Sequence, residues 1–235
     1  MTSRLFERPF FRVAGDKGLL VEFGNAIDPE INRKIRTMTI ALGKNPPSGI
    51  IEHIPTYRSI IIIYDPLRTN ASTLQQQVIA LEGQLAEIPI PPPETIEVPV
   101  CYGGDLGPEI EFVAETHGLS VDDVIRIHSE GEYQVYMIGF TPGFPFLGGL
   151  PEDLHTARLQ TPRKAVPAGS VGIANNQTGI YPIESPGGWQ LIGRTPLKIF
   201  DPQRADPFLI KAGDRLKFKP ISFGEYQALK EASDR

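Results

Sequence analysis

From Tyr133 the chain reads YQVYMIGFTPGFPFLGGLP, and from Thr161 it reads TPRKAVPAGSVGIANNQTGIYPIESPGGWQLIGRTPLKIFDP. Ten glycines and eight prolines lie between Gly139 and Phe200, which is too many for long helices. Short β-type runs separate these residues. The pattern predicts short strands joined by tight turns, as in a small β-barrel.

The segment before this stretch predicts one strand and two short helices. Residues 96–100 have the composition of a strand. The first helix is expected to end at Gly118. The second is expected to begin at a capping box formed by Ser120 and Asp123, and it carries His128 on its apolar face.

Residues 1–93 have their own pattern of strands and helices. Strands are predicted over residues 10–13, 19–23, 50–54 and 59–64, and helices are predicted to begin at Asp28 and at Thr69 or Asn70. The prolines at 89 and 91–93 cannot lie inside a helix and favour an extended connector. We therefore expect a small α+β domain over residues 1–93 and a second domain over residues 94–235. The alternative is a proline-rich loop within one domain.

Charge is distributed unevenly along the chain. The 235 residues are 40% hydrophobic and 22% charged, and the net charge of −5 argues weakly against nucleic acid as a partner. Residues 94–157 hold 12 acidic residues and one basic residue, whereas residues 158–219 hold 10 basic residues and four acidic ones. We therefore expect a small anionic ligand, a carboxylate or phosphoryl group, to bind in the second of these segments.

Several features predict a cytoplasmic protein. The single cysteine, Cys101, cannot form an internal disulfide, and the start MTSRLFERPF lacks the apolar core of a signal peptide. The longest aliphatic run, residues 60–63, is far shorter than the roughly 20 residues that span a bilayer. No contact with a membrane is expected.

Common cofactor motifs are absent from the sequence. It contains no G-x-x-x-x-G-K-[ST] phosphate loop, no G-x-G-x-x-G, no H-E-x-x-H and no paired-cysteine zinc spacing. The four histidines are too scattered to argue for a metal site. We therefore expect no bound metal, and we expect any nucleotide to bind at a site on, or shared with, another chain.

Five aromatic side chains in the Gly/Pro-rich stretch are candidates for a ligand-binding wall. They are Phe140, Phe144, Phe146, Tyr181 and Trp189. Sharp turns around them could leave the large rings free to line a cavity. The alternative is that the rings fill the barrel and the glycines only permit its corners.

Polar side chains embedded in the same apolar surroundings are candidates for catalysis or binding. Arg163 and Arg194 could each hold a carboxylate or phosphate through a planar guanidinium group, although structural ion pairs explain such arginines equally well. Gln177 and Ser185 also need specific partners there. His128 is a candidate acid or base, and the alternative is a core histidine with satisfied hydrogen bonds.

Four motifs together resemble a known family. They are H-x-x-x-x-Y-x-V-Y-M-I-G-F-x-P-G-F-P-F-L-G-G-L from His128, P-R-x-x-V-P-A-G-S-V-G-I-A from Pro162, Q-T-G-I-Y-P-x-x-S-P-G-G-W-x-L-I-G-R-T-P from Gln177, and F-D-P from Phe200. The combination is similar to the carboxyltransferase-domain family called allophanate hydrolase subunit 1. That family includes the B subunit of bacterial 5-oxoprolinase and the Kip-type inhibitors of a sporulation histidine kinase.

The resemblance implies a fold and a reaction. The implied fold is a cyclophilin-like β-barrel over residues 94–235, preceded by an α+β domain of the ferredoxin-like type. The implied reaction is the ATP-dependent opening of 5-oxo-L-proline to L-glutamate, with ADP and phosphate as further products, performed with 5-oxoprolinase subunits A and C. Amide resonance makes a lactam carbonyl a poor electrophile, and phosphorylation of its oxygen would activate it. Catalysis then requires mainly positioning and cationic stabilisation.

Within this scheme the candidate residues take specific expected roles. Arg163 and Arg194 would hold anionic groups, Gln177 and Tyr181 would orient them, and His128 would act as acid or base. Two further expectations remain open, since the same fold and motifs serve different activities. One is inhibition of a sensor histidine kinase, and the other is action on allophanate in urea metabolism. The chain alone is expected to be inactive or nearly so.

Overall fold

A computed structural model describes residues 5–233 of the protein. Its internal contacts divide the chain into two compact units. The first unit ends at Pro92 and the second begins at Pro93. The connecting residues from Ile88 to Glu94 form neither helix nor strand.

The first unit is a four-stranded antiparallel sheet with two helices. Its elements are β1 (Leu5–Ala14), β2 (Gly18–Gly24), α1 (Pro29–Lys44), β3 (Ile50–Pro55), β4 (Ser59–Tyr64) and α2 (Ala71–Glu82). The strands are arranged in the order β1-β2-β4-β3. Side chains from the sheet and both helices form one buried core, which includes Phe23, Ile35, Ile62 and Leu74.

Local capping explains where the two helices begin. Asp28 accepts a hydrogen bond from the backbone of Glu30 at 2.8 Å, and Pro29 occupies the first turn. Asn70, rather than Thr69, caps α2 by accepting from Thr73 at 2.9 Å. Helix α2 ends at Glu82.

The connectivity of the first unit defines its class. The elements follow one another as ββαββα. A ferredoxin-like domain has the order βαββαβ. The structure therefore establishes the α+β class, and the order of the elements does not establish the ferredoxin-like type.

The second unit contains nine strands and three helices within the described residues. The elements are β5 (Thr95–Tyr102), α3 (Ile110–His117), α4 (Val121–Glu130), β6 (Tyr133–Ile138), β7 (Pro145–Gly148), β8 (Arg163–Val166), β9 (Ser170–Ala174), β10 (Gln177–Ile180), β11 (Ser185–Gly187), β12 (Gln190–Arg194), β13 (Arg215–Pro220) and α5 (Phe223–Ser233). The capping box of Ser120 and Asp123 opens α4 as the sequence predicts.

Seven of these strands close into a barrel. Their order around it is β10-β7-β6-β13-β5-β12-β9, with β9 paired again to β10. Only the β5–β13 pair is parallel among the described strands. The interior is filled by aliphatic and aromatic side chains such as Val98, Val135, Ile173 and Phe218. The barrel expected from the glycine and proline pattern is confirmed.

A second apolar cluster lies apart from this interior. It contains Phe144, Val166, Tyr181 and Trp189, and Phe146 packs against it. Strands β8 and β11 form a separate two-stranded ribbon beside the barrel sheet, and Val166 belongs to that ribbon. The aromatic residues of the Gly/Pro-rich stretch therefore do not fill the barrel, and they are free to build a wall elsewhere.

Candidate functional site

A cavity of about 350 Å³ opens at this second cluster. Five rings line it: Phe140, Phe144, Phe146, Tyr181 and Trp189. The remaining lining residues are Arg158, Pro162, Pro186, Gly187 and Gly188. An apolar cleft with few polar groups and a volume near the lower end of the usual ~300–1,000 Å³ is typical of a site for a small molecule.

The rings hold one another in nearly perpendicular contacts. Phe144 lies at the centre. The centroid of its ring is 5.3 Å from that of Tyr181 and 5.5 Å from that of Trp189, and the interplanar angles are 87° and 82°. Phe140 makes a similar contact with Phe144 at 5.7 Å. Edge-to-face packing of this kind favours a rigid wall. The cavity therefore has a shape that is largely preformed.

Phe140 stands out because of its backbone. Its φ is +65°, in the left-handed region that a bulky residue rarely adopts. Its side chain is also 67% exposed, at the edge of the cavity. Backbone strain and an exposed aromatic ring at a binding cleft together are typical of a residue held in place for ligand contact.

Gly187 allows the wall to form, and the sequence alone does not indicate this role. A Cβ on Gly187 would lie 2.2 Å from the Tyr181 hydroxyl oxygen. The backbone of Trp189 hydrogen-bonds the same hydroxyl. Burial raises the pKa of Tyr181, while that hydrogen bond and the charges of Arg158 and Arg163 oppose the rise. Tyr181 is thus a neutral, fixed group in the cavity.

Arg158 is the cationic side chain of the cavity. It lies in the loop before β8, and its guanidinium carbon is 6.0 Å from the Trp189 ring centroid. Such a position gives a weak cation–π attraction that orients the guanidinium group over the ring. Sequence reasoning missed Arg158. It lies just before the P-R-x-x-V-P-A motif, at the start of the basic segment, and that position was the available signal.

Arg163 lies behind the wall rather than in the cavity. Its guanidinium group pairs with the Glu109 carboxylate and donates to the Trp189 carbonyl at 3.3 Å. Glu109 also accepts a hydrogen bond from the Leu191 backbone at 2.8 Å. The alternative of a structural ion pair therefore describes Arg163, because these contacts engage its charge in holding the start of β12.

Arg194 also lies away from the cavity lining. It ends β12, where it is paired in register with Ser170 and Cys101. Its Nε is buried and has no hydrogen-bond partner in residues 5–233. The two arginines expected to act together therefore occupy different environments, and neither lines the aromatic cavity.

His128 is fully buried, and its surroundings argue against the acid–base role that the sequence suggests. Nδ1 lies 2.8 Å from the Tyr102 hydroxyl, and Nε2 lies 2.9 Å from the Thr178 hydroxyl. Because Thr178 donates its own proton to the Gly172 carbonyl, we assign the imidazole proton to Nε2. Burial lowers the pKa of His128 to about 3, and its ring stacks on Phe218. The alternative of a satisfied core histidine fits this geometry.

The buried histidine predicts a pH dependence of stability. Unfolded protein binds a proton at His128 below pH 6.5, whereas the folded protein does not do so until about pH 3. The contribution of His128 to the free energy of unfolding is therefore complete above pH 6.5, and it declines as the pH falls from 6.5 towards 3. We expect the free energy of unfolding in urea to drop by about 2 kcal/mol from pH 7 to pH 5 owing to this residue. His128→Gln should remove that component, and an unchanged pH dependence in the variant would contradict the assignment.

The two remaining candidates, Gln177 and Ser185, lie outside the cavity lining. Gln177 begins β10 opposite Ala174. Ser185 lies in β11 opposite Val166, and its hydroxyl is buried with no hydrogen bond in the described part of the chain. Of the expected binding residues, the structure thus brings together Phe140, Phe144, Tyr181 and Trp189, and it leaves Gln177 and Ser185 outside the lining.

Within residues 5–233, no three His, Cys, Asp or Glu side chains come together in a way that could hold a metal ion. None of the helices in the same range has the length and apolar character to cross a membrane.

Comparison with known proteins gives three informative likenesses. A family model described as "Carboxyltransferase domain, subdomain C and D" matches residues 9–210. A protein of Bacillus subtilis (strain 168), named as the B subunit of 5-oxoprolinase, is 44% identical over 230 residues, which are 94% of this chain and 96% of that protein. The crystal structure of TTHA0988 matches with a TM-score of 0.77 and 37% identity, and covers 88% of this chain.

Larger proteins contain a similar region. The match accounts for only 40% of the TTHA0988 chain. The K. lactis urea amidolyase matches 96% of this chain with a TM-score of 0.77 and 25% identity, and the match accounts for 16% of that protein. The chain thus corresponds to a part of these two proteins and to nearly the whole length of the Bacillus protein.

Proposed function

The chain belongs to the carboxyltransferase domain family, subdomain C and D, and from this we propose that it is the B subunit of a 5-oxoprolinase. In this role it takes part in the ATP-dependent cleavage of 5-oxo-L-proline to L-glutamate, ADP and phosphate. The observation that carries the proposal is the 44% identity to the Bacillus 5-oxoprolinase protein across nearly the full length of both chains. The enzyme is a cyclic-amide hydrolase that acts together with subunits A and C.

The cavity supports a role in binding the small substrate. Its rings provide flat apolar surfaces, and Arg158 provides one cation for an anionic group. Phe140, Phe144, Tyr181 and Trp189 are the proposed binding residues. Arg163 is proposed as a positioning residue that holds the Trp189 backbone, and Arg194 remains a candidate for an anion that approaches from outside the cavity.

ATP does not fit this cavity. A triphosphate carries several negative charges and requires several cations or backbone N–H groups. Among the described lining residues, Arg158 is the one cationic side chain. We therefore propose that ATP binds at a site on, or shared with, a partner subunit, and we derive no step of nucleotide chemistry from the residues of this cavity.

Two domain assignments and a cellular location accompany the proposal. The barrel supports the proposal of a cyclophilin-like domain over residues 94–235. Residues 1–93 are proposed as the smaller α+β domain. Its element order, ββαββα, differs from the order βαββαβ of the ferredoxin-like type. A cytoplasmic location is proposed because the lone cysteine suits a reducing compartment.

Reconstitution tests the function directly. The purified chain is mixed with 5-oxoprolinase subunits A and C, ATP and 5-oxo-L-proline, and glutamate is measured. We expect glutamate to form only when all three subunits are present, and the chain alone should release none above background. Equal glutamate release with and without this chain would refute the proposal.

The likeness to urea amidolyase supports a second candidate, which is action on allophanate in urea metabolism. The same preparations can be supplied with allophanate instead of 5-oxo-L-proline, with ammonia as the measured product. We expect no ammonia above background. Ammonia release that depends on this chain would favour the second candidate over the first.

A further inference from the structure

Arg158 is the available cation at the aromatic cavity. Its side chain is exposed, and it forms no hydrogen bond or ion pair with any residue in the range 5–233. Its one specific contact is the Trp189 ring, 6.0 Å from the guanidinium carbon. A guanidinium group that is oriented over a ring but not neutralised keeps all its hydrogen-bond donors free for a ligand.

The neighbouring Arg163 shows the contrast. Its guanidinium group is engaged by the Glu109 carboxylate and by the Trp189 carbonyl. Both arginines lie close enough to Tyr181 for their charges to lower the pKa of its hydroxyl, against the effect of burial. Of these two cations, only Arg158 lines the cavity. An anionic ligand in the cavity would therefore find its counter-charge at Arg158.

The surroundings strengthen such an interaction. The rings of Phe140, Phe144, Tyr181 and Trp189 make one side of the cavity apolar. Hydrogen bonds between a guanidinium group and a carboxylate are stronger where water is excluded, and they are often bidentate. A small planar ring could pack on the aromatic surfaces while its carboxylate points at Arg158.

We propose that Arg158 and this aromatic wall recognise the carboxylate and the flat ring of a five-membered lactam acid, 5-oxo-L-proline. The proposal rests on the proposed function and deepens it by assigning substrate selection to a residue outside the family motifs quoted above. Arg158 selects lactams that carry a carboxylate over neutral lactams. The rings select cyclic carboxylates over small open ones.

The single tryptophan makes a direct test possible. Trp189 is the only tryptophan in the sequence and lies in the cavity wall, so its fluorescence reports on ligand entry. The full chain is titrated with 5-oxo-L-proline, with the neutral lactam 2-pyrrolidinone, and with acetate. We expect a saturable change with 5-oxo-L-proline and binding at least tenfold weaker for the other two ligands. Trp189→Phe, checked for folding by circular dichroism, should remove the signal.

Variants of Arg158 test its part in this selection. Arg158→Gln should weaken 5-oxo-L-proline binding about tenfold to hundredfold, to the level of 2-pyrrolidinone, and leave 2-pyrrolidinone binding unchanged. Arg158→Lys should restore part of the affinity because it restores the charge. Arg126→Gln is the matched control, because Arg126 is an exposed arginine on α4 that pairs with Asp123 and Glu130. It should behave as wild type.

The same variants in the reconstituted complex separate this proposal from the proposed function. We expect Arg158→Gln to raise the KM for 5-oxo-L-proline at least tenfold with a smaller effect on kcat. An active complex whose KM does not change in Arg158→Gln would overturn the role of Arg158 and leave the proposed function intact. Selective binding of 5-oxo-L-proline to the chain, without any glutamate from the complex, would support the site and count against the proposed function. Equal binding of 5-oxo-L-proline and acetate would overturn the proposal.

Discussion

A Gly187→Ala variant of the complex is expected to release glutamate about 100-fold more slowly than wild type. The new Cβ would lie 2.2 Å from the Tyr181 hydroxyl oxygen, well inside van der Waals contact. Tyr181 is 2% exposed and cannot swing away, because its ring packs against Phe144 and Trp189. The ring must therefore shift within the wall, and a displacement of about 1 Å at a binding site can cost two orders of magnitude in rate.

A glycine outside the cavity supplies the control. A Cβ on Gly224, which is exposed in α5, would have no heavy atom within 4 Å. Gly224→Ala should therefore keep the activity of wild type. The free energy of unfolding should fall by about 2 kcal/mol in Gly187→Ala and should not fall in Gly224→Ala. Equal activity in the two variants would show that the Tyr181 position does not matter for the reaction.

Glu109→Ala is expected to lower the free energy of unfolding by about 3 kcal/mol. The carboxylate accepts from the Leu191 backbone at 2.8 Å and pairs with Arg163. Its removal leaves a backbone N–H and a largely buried guanidinium group without their partner. Since Arg163 also holds the Trp189 carbonyl, the tryptophan emission of the folded variant should shift as well.

Urea unfolding of four proteins measures this coupling. They are wild type, Glu109→Ala, Arg163→Met and the double variant. A structural ion pair predicts that the double variant is much less destabilised than the sum of the single variants. Glu111→Ala is the control, because Glu111 is an exposed acid in the first turn of α3, two residues after Glu109, and it should change stability by less than about 0.5 kcal/mol. Purely additive single effects would contradict the pairing.

The predicted helices agree with the structure because their signals are local. Asp28 and Asn70 cap the helices that follow them, and Ser120 with Asp123 forms the box that opens α4. Each of these contacts joins residues at most three positions apart. Such contacts depend on nearby sequence and little on the rest of the fold.

The candidate site was predicted only in part. The aromatic residues were identified because large rings among glycines and prolines are conspicuous in sequence. The sequence left His128 open between an acid–base role and a core histidine, because its hydroxyl partner Thr178 lies 50 positions away and comes to it only when the barrel closes. Arg158 was missed because no motif marks it, and its availability depends on the absence of an acid beside it in the described structure.

The sequence by itself determined the elements, the basic segment that contains the cavity arginine, and the family. Only the tertiary structure decided which arginine could meet a ligand. Arg158 and Arg163 have the same chemistry and lie five positions apart in that segment. Folding brings Glu109, 54 positions earlier, against Arg163 and leaves Arg158 over the Trp189 ring. A charged side chain can bind a ligand readily only when no opposite charge lies next to it. Which residues from distant parts of the sequence lie next to it depends on the fold.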